Sequence, residues 1–251
     1  MSTRQKLDTS VLLQLKRWNT PTLYNGWEQI TSRDTCKDAF NLEECTDYMP
    51  QMGPMVGYAV TVQIEPGNRD HKKQNPNAWS EYRQYVASIS EPKIVIVQDL
   101  DKPACYGAFW GEVNSSIHRS LGCVGTICDG SIRDVDEMNN VGFKAIARRM
   151  SVGHAASYPV KWNCEVEVFG RKIQPGQLIH ADKHGFIVIP KDDYNKLLEA
   201  VIFMDTNECK TKINTARFAF RKPIDNLLHS MDTADKEFNN NVKKFLESLK
   251  E

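Results

Sequence analysis

Residues Gly122–Asp134, which read GCVGTICDGSIRD, constrain the fold of this chain most. A glycine that ends a helix is followed by a short apolar run at Val124, Thr126 and Ile127, a pattern typical of a buried strand. The pair Asp129-Gly130 then predicts a tight turn, after which Arg133 stands beside Asp134. Because ligands of α/β sheets bind at the carboxyl ends of the strands, we expect both charged side chains to lie at one binding region.

This pairing of a cation with a carboxylate indicates a type of chemistry. The guanidinium of Arg133 can clamp a carboxylate, and Asp134 can hold a hydrated divalent metal. The first-turn N–H groups of a predicted helix at Gly111–Asn114 form a further anion cradle. The combination is typical of an enzyme that acts on small oxo-acids.

Strands alternate with short helices over most of the chain, which predicts a parallel or mixed sheet covered on both faces. After Gly153 the pattern changes to a small antiparallel β unit. The predicted strands are 56–64, 93–98, 144–148, 160–168, 178–181 and 185–189, and the predicted helices are 7–15, 20–30, 78–88, 112–121, 134–140, 191 onward and 233–251. A turn is expected at 107–111, and Val113, Ile117 and Leu121 are expected to share the apolar face of the helix that follows.

Composition excludes several partners. The 251 residues carry 32 basic and 32 acidic side chains, so no net charge attracts nucleic acid or an anionic membrane. The first ten residues lack an apolar signal region, and no apolar run reaches 18 residues. Seven scattered cysteines without a C-x-x-C motif favour thiols in a reducing compartment. We therefore expect a cytoplasmic protein that binds neither nucleic acid nor a membrane.

Two longer strings carry a resemblance to a known family. They run from GAFWGEVNSSIHRSLGCVGTICDGSIRDVDE to VEVFGRKIQPGQLIHADKHGFIVIP. In this order they resemble the group named after regulator of ribonuclease activity A, which includes class II 4-hydroxy-4-methyl-2-oxoglutarate/4-carboxy-4-hydroxy-2-oxoadipate aldolases. The resemblance covers roughly residues 50–195. It implies an α/β/β/α sandwich like the swivelling phosphohistidine domain, assembled as a homotrimer or homohexamer.

The resemblance also implies a division of the chain and a set of site residues. A core domain at 53–195 would follow an N-terminal helical segment at 1–52 and precede a C-terminal helical extension at 196–251. The implied roles are substrate and enolate binding by Arg133, metal binding (Mg²⁺ or Mn²⁺) by Asp134, ordering of metal-bound water by Glu112 and by Glu137, and carboxylate binding by the backbone at Gly111, Val113 and Asn114.

The chain departs from its relatives at several positions. Phe109 and Trp110 replace smaller residues, and Gln177 replaces a common aspartate. Trp110 is therefore a candidate substrate-binding residue that would disfavour bulky substrates, although core or subunit packing is the more common role for such a residue.

Structural roles explain the other candidates as well. Asp134 and Glu137 fit a capping box at a helix start, and Arg133 could pair with a surface acid. Glu112 suits the first turn of a helix. The HADKH sequence at His180–His184 looks like a metal cluster but lacks a third histidine nearby, which favours turn and surface roles.

Three hypotheses for the function follow. The first is a metal-dependent lyase that cleaves or decarboxylates pyruvate-derived oxo-acids. The second is a non-enzymatic regulator that binds a ribonuclease, and the third is a lyase or hydratase acting on a sugar-acid-like substrate. The implied regulators tend to lack the acid after the motif arginine, so the presence of Asp134 favours an enzyme.

Overall fold

The computed structural model describes residues 6–89, 92–219 and 222–250. Contacts divide the chain into two compact units, one formed by the described parts of Met1–Thr20 and Cys36–Lys191, the other by those of Pro21–Thr35 and Asp192–Glu251. The domain boundaries predicted from the sequence, after residues 52 and 195, stay predictions.

Helices and strands largely alternate in the first unit up to residue 150, as the sequence predicts, and only strands follow from there to residue 189. The strands are β1 (Thr46–Asp47), β2 (Met55–Ile64), β3 (Lys93–Asp99), β4 (Ala108–Trp110), β5 (Cys123–Ile132), β6 (Lys144–Met150), β7 (Pro159–Trp162), β8 (Val166–Val168), β9 (Arg171–Ile173), β10 (Leu178–Asp182) and β11 (Gly185–Ile189). The helices along the chain are α1 (Thr9–Leu15), α2 (Thr20–Ile30), α3 (His71–Gln74), α4 (Ala78–Ser88), α5 (Glu112–Ser120), α6 (Val135–Asn140), α7 (Tyr194–Glu208), α8 (Asn214–Phe218) and α9 (Ile224–Ser248).

A mixed sheet of nine strands forms the centre of the first unit, as counted over the described residues. Its main path is β1-β6-β5-β3-β2-β10-β11, with β4 paired to β5 and β7 paired to β2. Strands β2, β3, β5 and β6 are parallel to one another in this path, and β4 is parallel to β5. Because parallel strands end at the same edge, the carboxyl ends of β3, β4, β5 and β6 face one side of the sheet. The mixed α/β class predicted from the sequence is confirmed, whereas the likeness to the phosphohistidine domain stays a prediction.

Both faces of the sheet are buried. Along β3, Val95 and Val97 belong to one apolar cluster, and Ile94 and Ile96 belong to another. Alternating side chains of one strand point to opposite faces, so each face of the sheet has its own apolar core. This explains why β3 reads as a continuous apolar run rather than as an alternating one.

A buried lysine fixes two helices against the sheet. Lys93 begins β3, and its Nζ donates hydrogen bonds to the carbonyl oxygens of Val86 (2.9 Å) and Leu121 (2.5 Å). These carbonyls lie at the carboxyl ends of α4 and α5, where a positive charge is favourable. The contacts hold α4 and α5, which both border the site described below.

The turn predicted at Asp129-Gly130 is wrong, since β5 continues through both residues to Ile132. The carboxylate of Asp129 is buried and lies 2.5 Å from Lys102 Nζ and 2.6 Å from Arg148 Nε. It also accepts a hydrogen bond from the Phe169 N–H group (3.0 Å). These partners come from distant parts of the chain, so the local turn signal could not reveal them.

A second buried acid lies beside this network. Asp99 ends β3 and is fully buried, and its Oδ2 atom has no hydrogen-bond partner within the described residues. Burial, followed by the nearby charges of Asp101 and Asp129, raises the pKa of Asp99 to about 6. The Asp99 carboxyl therefore keeps its proton to a higher pH in the folded protein than a free aspartate does.

Other local predictions need correction. The expected turn at 107–111 is the short strand β4, because this segment pairs with β5. The expected strand at 160–168 is two strands, with β7 on the main sheet and β8 in a hairpin with β9. The expected separate antiparallel unit is divided too, since β10 and β11 extend the main sheet next to β2.

The second unit is helical. Trp27 of α2 donates its indole N–H to Asp193 (2.8 Å), and Phe203 of α7 stacks on Phe245 of α9 with ring centroids 4.1 Å apart. Helix α9 begins at Ile224, nine residues before the predicted start at 233, and residue 251 lies outside the described residues. Across both units, no described helix is long and apolar enough to cross a membrane.

Candidate functional site

A cleft of about 380 Å³ opens at the carboxyl ends of β4 and β5. Its volume falls within the roughly 300–1,000 Å³ that is usual for small-molecule sites. Its lining residues come from α4, from β4 and the start of α5, from the segment after β5, and from a loop near residue 155. They are Trp79, Arg83, Ala108, Phe109, Trp110, Gly111, Glu112, Val113, Asn114, Ile117, Arg133, Asp134, His154 and Ser157.

Asp134 has an unusual conformation. It precedes α6 with φ 52° and ψ 46°, in the left-handed region that a residue with a side chain rarely adopts. Its side chain does not cap its own helix. The Oδ2 atom instead accepts a hydrogen bond from the Glu112 N–H group at the start of α5 (3.1 Å). The capping-box interpretation is therefore wrong, because the carboxylate is directed to the neighbouring helix and to the cleft.

Arg133 is held loosely by its surroundings. Its backbone N–H donates to the Trp110 carbonyl (3.0 Å), which ties the segment after β5 to β4. Its Nε atom lies 3.6 Å from Asp134 Oδ2, and its Nη1 atom donates a long hydrogen bond of 3.4 Å to the Val152 carbonyl. The side chain is 39 % exposed, so the guanidinium keeps donors available for a bound anion.

Gly111 permits the close approach of these groups. A Cβ atom at this position would lie 2.6 Å from Asp134 Oδ2 and 3.3 Å from Arg133 Nε. Its backbone is extended (φ −165°), so the requirement for glycine comes from space and not from conformation. Any side chain here would displace the carboxylate of Asp134.

The first turn of α5 presents unpaired backbone donors to the cleft. Within the described residues, the N–H groups of Val113 and Asn114 have no hydrogen-bond partner. Together with the helix dipole they favour an anion at this end of α5. The Val113 side chain is 73 % exposed, so the expected apolar face through Val113, Ile117 and Leu121 is wrong; Ser115 and His118 are the buried residues of α5.

The remaining predicted site residues lie near this region. Glu112 is exposed and lines the cleft. Glu137 is exposed in the first turn of α6 and does not belong to the cleft lining. The roles predicted for both residues stay predictions.

Trp110 borders the cleft, but its side chain is buried. The indole packs edge-on against His118 and tilted against Phe143, with ring centroids 4.7 Å apart in both pairs. His118 also contacts Tyr82 Oη (3.1 Å) and the Asn114 carbonyl (2.8 Å), and burial lowers its pKa to about 4. Neutral His118 of α5 thus packs against Trp110 of β4. A role for Trp110 in substrate choice stays a prediction, and its packing is that of a core residue.

Sequence reasoning missed the wall contributed by α4. Trp79 and Arg83 lie one helical turn apart, and both line the cleft. Ser157 lines it from the loop after β6, and its hydroxyl is buried with no partner among the described residues. No motif marks these residues, although the i, i+4 spacing of an aromatic residue and an arginine on one helix is a signal of paired side chains.

The donors at the cleft fit a hydrated divalent cation. Among the described residues, no group of three or more His, Cys, Asp or Glu side chains could hold a metal. Mg²⁺ and Mn²⁺ do not require such a cage, since one or two carboxylates with several waters suffice for Mg²⁺. Asp134 offers a partly exposed carboxylate fixed by a backbone N–H, and Glu112 offers a second one on the same cleft.

The HADKH segment has a structural role. His180 is buried, contacts Thr20 Oγ1 (2.9 Å) and the Leu15 carbonyl (3.2 Å), and has its pKa lowered to about 4 by burial. Asp182 accepts hydrogen bonds from the N–H groups of Thr20 and His184 (2.9 Å each). The surface role expected for His180 is therefore wrong, because it anchors the residues that follow α1.

Several known proteins resemble this chain in sequence or in fold. A Halalkalibacterium halodurans protein, provisionally named 4-hydroxy-4-methyl-2-oxoglutarate aldolase, is 29 % identical over 160 residues, which cover 63 % of this chain and 70 % of that protein. Protein DlpA of Legionella pneumophila is 22 % identical over 63 % of this chain, but the match spans only 25 % of DlpA. The crystal structure of Streptomyces coelicolor RraAS2, described as an unusual member of the RNase ES inhibitor RraA family, superimposes with a TM-score of 0.63 at 18 % identity. That match covers 87 % of this chain and 99 % of RraAS2, and it shows a common fold.

The family model described as RraA-like, Aldolase/RraA, matches residues 21–188. This range is more than half of the chain, and it contains Arg133, Asp134 and the start of α5. The family resemblance predicted from the sequence is confirmed: the chain belongs to the RraA-like family.

Proposed function

We propose that this protein is a divalent-metal-dependent carbon–carbon lyase that cleaves or decarboxylates pyruvate-derived oxo-acids. The reactions are retro-aldol cleavage of the 4-hydroxy-4-methyl-2-oxoglutarate type and decarboxylation of oxaloacetate. The family includes proteins named as aldolases and proteins named as ribonuclease inhibitors, so the family alone does not select the enzyme.

The conformation of Asp134 carries the proposal. A residue with a side chain in the left-handed region costs about 1–3 kcal/mol, and such residues cluster at functional sites. Here the strained backbone removes the carboxylate from the helix that it could cap and directs it to the N–H group of Glu112. A purely structural aspartate would gain more from capping α6, so this geometry supports a functional carboxylate.

Arg133 and the first turn of α5 complement one end of such a substrate. In both reactions the C3–C4 bond breaks and its electrons move to C3, which leaves the enolate of pyruvate. The C4 fragment departs as CO2 from oxaloacetate, or as a second pyruvate when the C4 hydroxyl of the aldol gives up its proton. The enolate then takes up a proton at C3. The guanidinium of Arg133 can donate hydrogen bonds to the enolate oxygen while the N–H groups of Val113 and Asn114 hold the adjacent carboxylate. Removal of one such preorganised donor from an enzyme typically lowers kcat by about 10²–10³-fold.

Asp134 and Glu112 are the residues that would hold Mg²⁺ or Mn²⁺, with Glu137 as a further candidate through water. The bound cation would supply electrophilic stabilisation of the negative charge that develops on the pyruvyl oxygen. The Glu112 N–H group orients the Asp134 carboxylate, which supports the proposal because a metal ligand held by such a contact would need no rearrangement on binding.

A coupled assay tests the proposal. The purified protein is incubated with oxaloacetate, 4-hydroxy-4-methyl-2-oxoglutarate and related oxo-acids with Mg²⁺ or Mn²⁺, and pyruvate is detected with lactate dehydrogenase. We expect turnover that excess chelator abolishes and added metal restores. Asp134→Asn should abolish it as well, because the neutral amide is a poor ligand for Mg²⁺.

Two controls make the assay specific. Reactions without protein correct for spontaneous decarboxylation of oxaloacetate, and Asp136→Asn changes an exposed acid two residues away on the first turn of α6. Asp136→Asn should keep wild-type activity. Full activity in excess chelator would contradict the metal-dependent lyase, and a folded protein that releases pyruvate from none of these oxo-acids would favour the ribonuclease regulator.

We also propose a cytoplasmic homo-oligomer, a trimer or hexamer, whose site lies near a subunit boundary. Large apolar side chains next to the Arg133 segment are exposed, with Val152 at 96 % and Met150 at 56 %. Exposed apolar side chains beside a site are typical of surfaces that another subunit covers.

A further inference from the structure

Arg83 has a charge that no group of the described chain neutralises. Its Nε atom is buried and lacks a hydrogen-bond partner, and the described residues offer it no ion pair. A buried donor without a partner destabilises the folded protein, and a charged one does so more strongly. The protein nevertheless keeps this arginine in the wall of the cleft that contains Arg133.

Aromatic packing fixes Arg83 in place. Its guanidinium carbon lies 5.1 Å from the ring centroid of Trp79, one helical turn earlier on α4. The Trp79 ring in turn stacks on Phe109, with centroids 5.4 Å apart and planes inclined by 10°, and it packs edge-on against Tyr158. A guanidinium held over a fixed indole loses little freedom when an anion binds to it.

The polar groups of the cleft thus fall into two sets on different elements. Arg133 and the first turn of α5 form one set, and Arg83 of α4 forms the other together with Ser157, whose buried hydroxyl also lacks a partner. Arg83 also borders a more open depression, whose polar lining includes Asn77, Ser80 and Gln84. Arg83 is the charged residue among those that line this depression, whereas the cleft also contains the guanidinium of Arg133.

We propose that Arg83 is a specificity-determining residue that binds the second carboxylate of a dicarboxylic oxo-acid, with Ser157 donating a further hydrogen bond. The 2-oxo-acid end lies at Arg133 and the first turn of α5, as in the proposed function on which this inference rests. A monocarboxylic oxo-acid would leave Arg83 without its anion. Substrates that carry a carboxylate remote from the keto group are therefore selected.

Binding of unreactive ligands tests the proposed role of Arg83 without turnover. Neither 2-oxoglutarate nor 2-oxopentanoate can undergo either proposed cleavage, and they share a five-carbon chain but differ in the second carboxylate. Calorimetric titration of the Mg²⁺-loaded protein should show 2-oxoglutarate binding at least about tenfold more tightly. Arg83→Gln should remove this preference and leave the Kd of 2-oxopentanoate unchanged, and Arg83→Lys should restore part of it.

Kinetics supplies the second readout. For oxaloacetate, Arg83→Gln should raise KM by about tenfold or more without lowering kcat, because the C4 carboxylate that Arg83 binds loses its charge as it leaves as CO2, so the contact stabilises the bound substrate and not the transition state. Inhibition by the monocarboxylic product pyruvate should not change. Arg119→Gln, an exposed arginine on α5 that does not line the cleft, is the matched control and should behave as wild type. Thermal unfolding of each variant identifies any loss of folding.

The outcomes separate this inference from the proposed function. If oxaloacetate is turned over but Arg83→Gln leaves both KM and the ligand preference intact, the inference is overturned and the lyase stands. If no oxo-acid is turned over but the preference for 2-oxoglutarate depends on Arg83, the lyase is overturned and the dicarboxylate site stands. A wild-type protein that binds both ligands equally would overturn the inference.

Discussion

Replacement of Gly111 with alanine tests whether the close approach of β4 to Asp134 serves catalysis. The extended backbone of Gly111 accepts any residue, so the substitution adds one methyl group without backbone strain. That methyl group would lie 2.6 Å from Asp134 Oδ2, where ordinary contact begins at 3.4 Å. The carboxylate must therefore move by about 0.8 Å.

The displacement sets the size of the expected effect. The hydrogen bond from the Glu112 N–H group to Asp134 Oδ2 is 3.1 Å long, so a movement of this size away from Gly111 breaks it. A shift of about 1 Å in a catalytic group can lower the rate by about 10²-fold, which corresponds to about 2.7 kcal/mol of transition-state stabilisation. We expect Gly111→Ala to lower kcat/KM by this factor and to raise the Mg²⁺ concentration required for half-maximal activity.

Gly153→Ala is the matched control. A Cβ atom at Gly153 would meet no atom within 4 Å, and this residue lies next to cleft residue His154. We expect wild-type kcat/KM from Gly153→Ala and similar unfolding temperatures for both variants in a thermal melt. A Gly111→Ala protein with wild-type kcat/KM and wild-type Mg²⁺ dependence would refute the reasoning, as would an equal loss in Gly153→Ala.

Three further predictions concern single groups and the assembly. Arg133→Lys keeps the charge but loses the planar guanidinium fork, so kcat should fall by about 10²-fold or more. A near-wild-type kcat in the pyruvate-release assay would mean that the guanidinium does not contact the enolate oxygen. The raised pKa of Asp99 means that its contribution to stability is complete below about pH 4 and is lost as the pH rises through about 6. Between pH 4.5 and 7.5 the free energy of unfolding of Asp99→Asn, measured in urea, should therefore rise relative to that of wild type by up to about 2 kcal/mol. A difference in unfolding free energy that stays constant over this range would contradict the raised pKa of Asp99. Light scattering at micromolar concentration should give the mass of a trimer or hexamer, and an active monomer would contradict the proposed assembly.

Local sequence determined most of the secondary structure of this protein. Helix α4 and strand β11 have the predicted bounds, because apolar periodicity reports which side chains a helix or strand buries. The same local signal did not locate the end of β5, because the strand continues to Ile132 through the turn predicted at Asp129-Gly130. The start of helix α5 after Gly111 was predicted from the sequence, although strand β4 was not.

Contacts between distant residues decided the features that apolar periodicity does not report. The Asp129-Gly130 pair has the local preference of a turn, but the ion pairs of Asp129 with Lys102 and Arg148 stabilise an extended strand through it. The sequence could not distinguish an Asp134 that caps α6 from one directed to α5, because the deciding N–H group is 22 residues away in the chain.

Arg83 is the clearest case of this limit. On its own helix it resembles any exposed arginine at a polar position, and the sequence gives no sign that its Nε is buried without a partner. Its surroundings come from α4, β4 and the loop after β6, which only the folded chain brings together. Most helices and strands are thus set by neighbouring residues, whereas strand β4, the course of β5 through Asp129 and the charges that meet in the cleft are set by contacts between residues far apart in the chain.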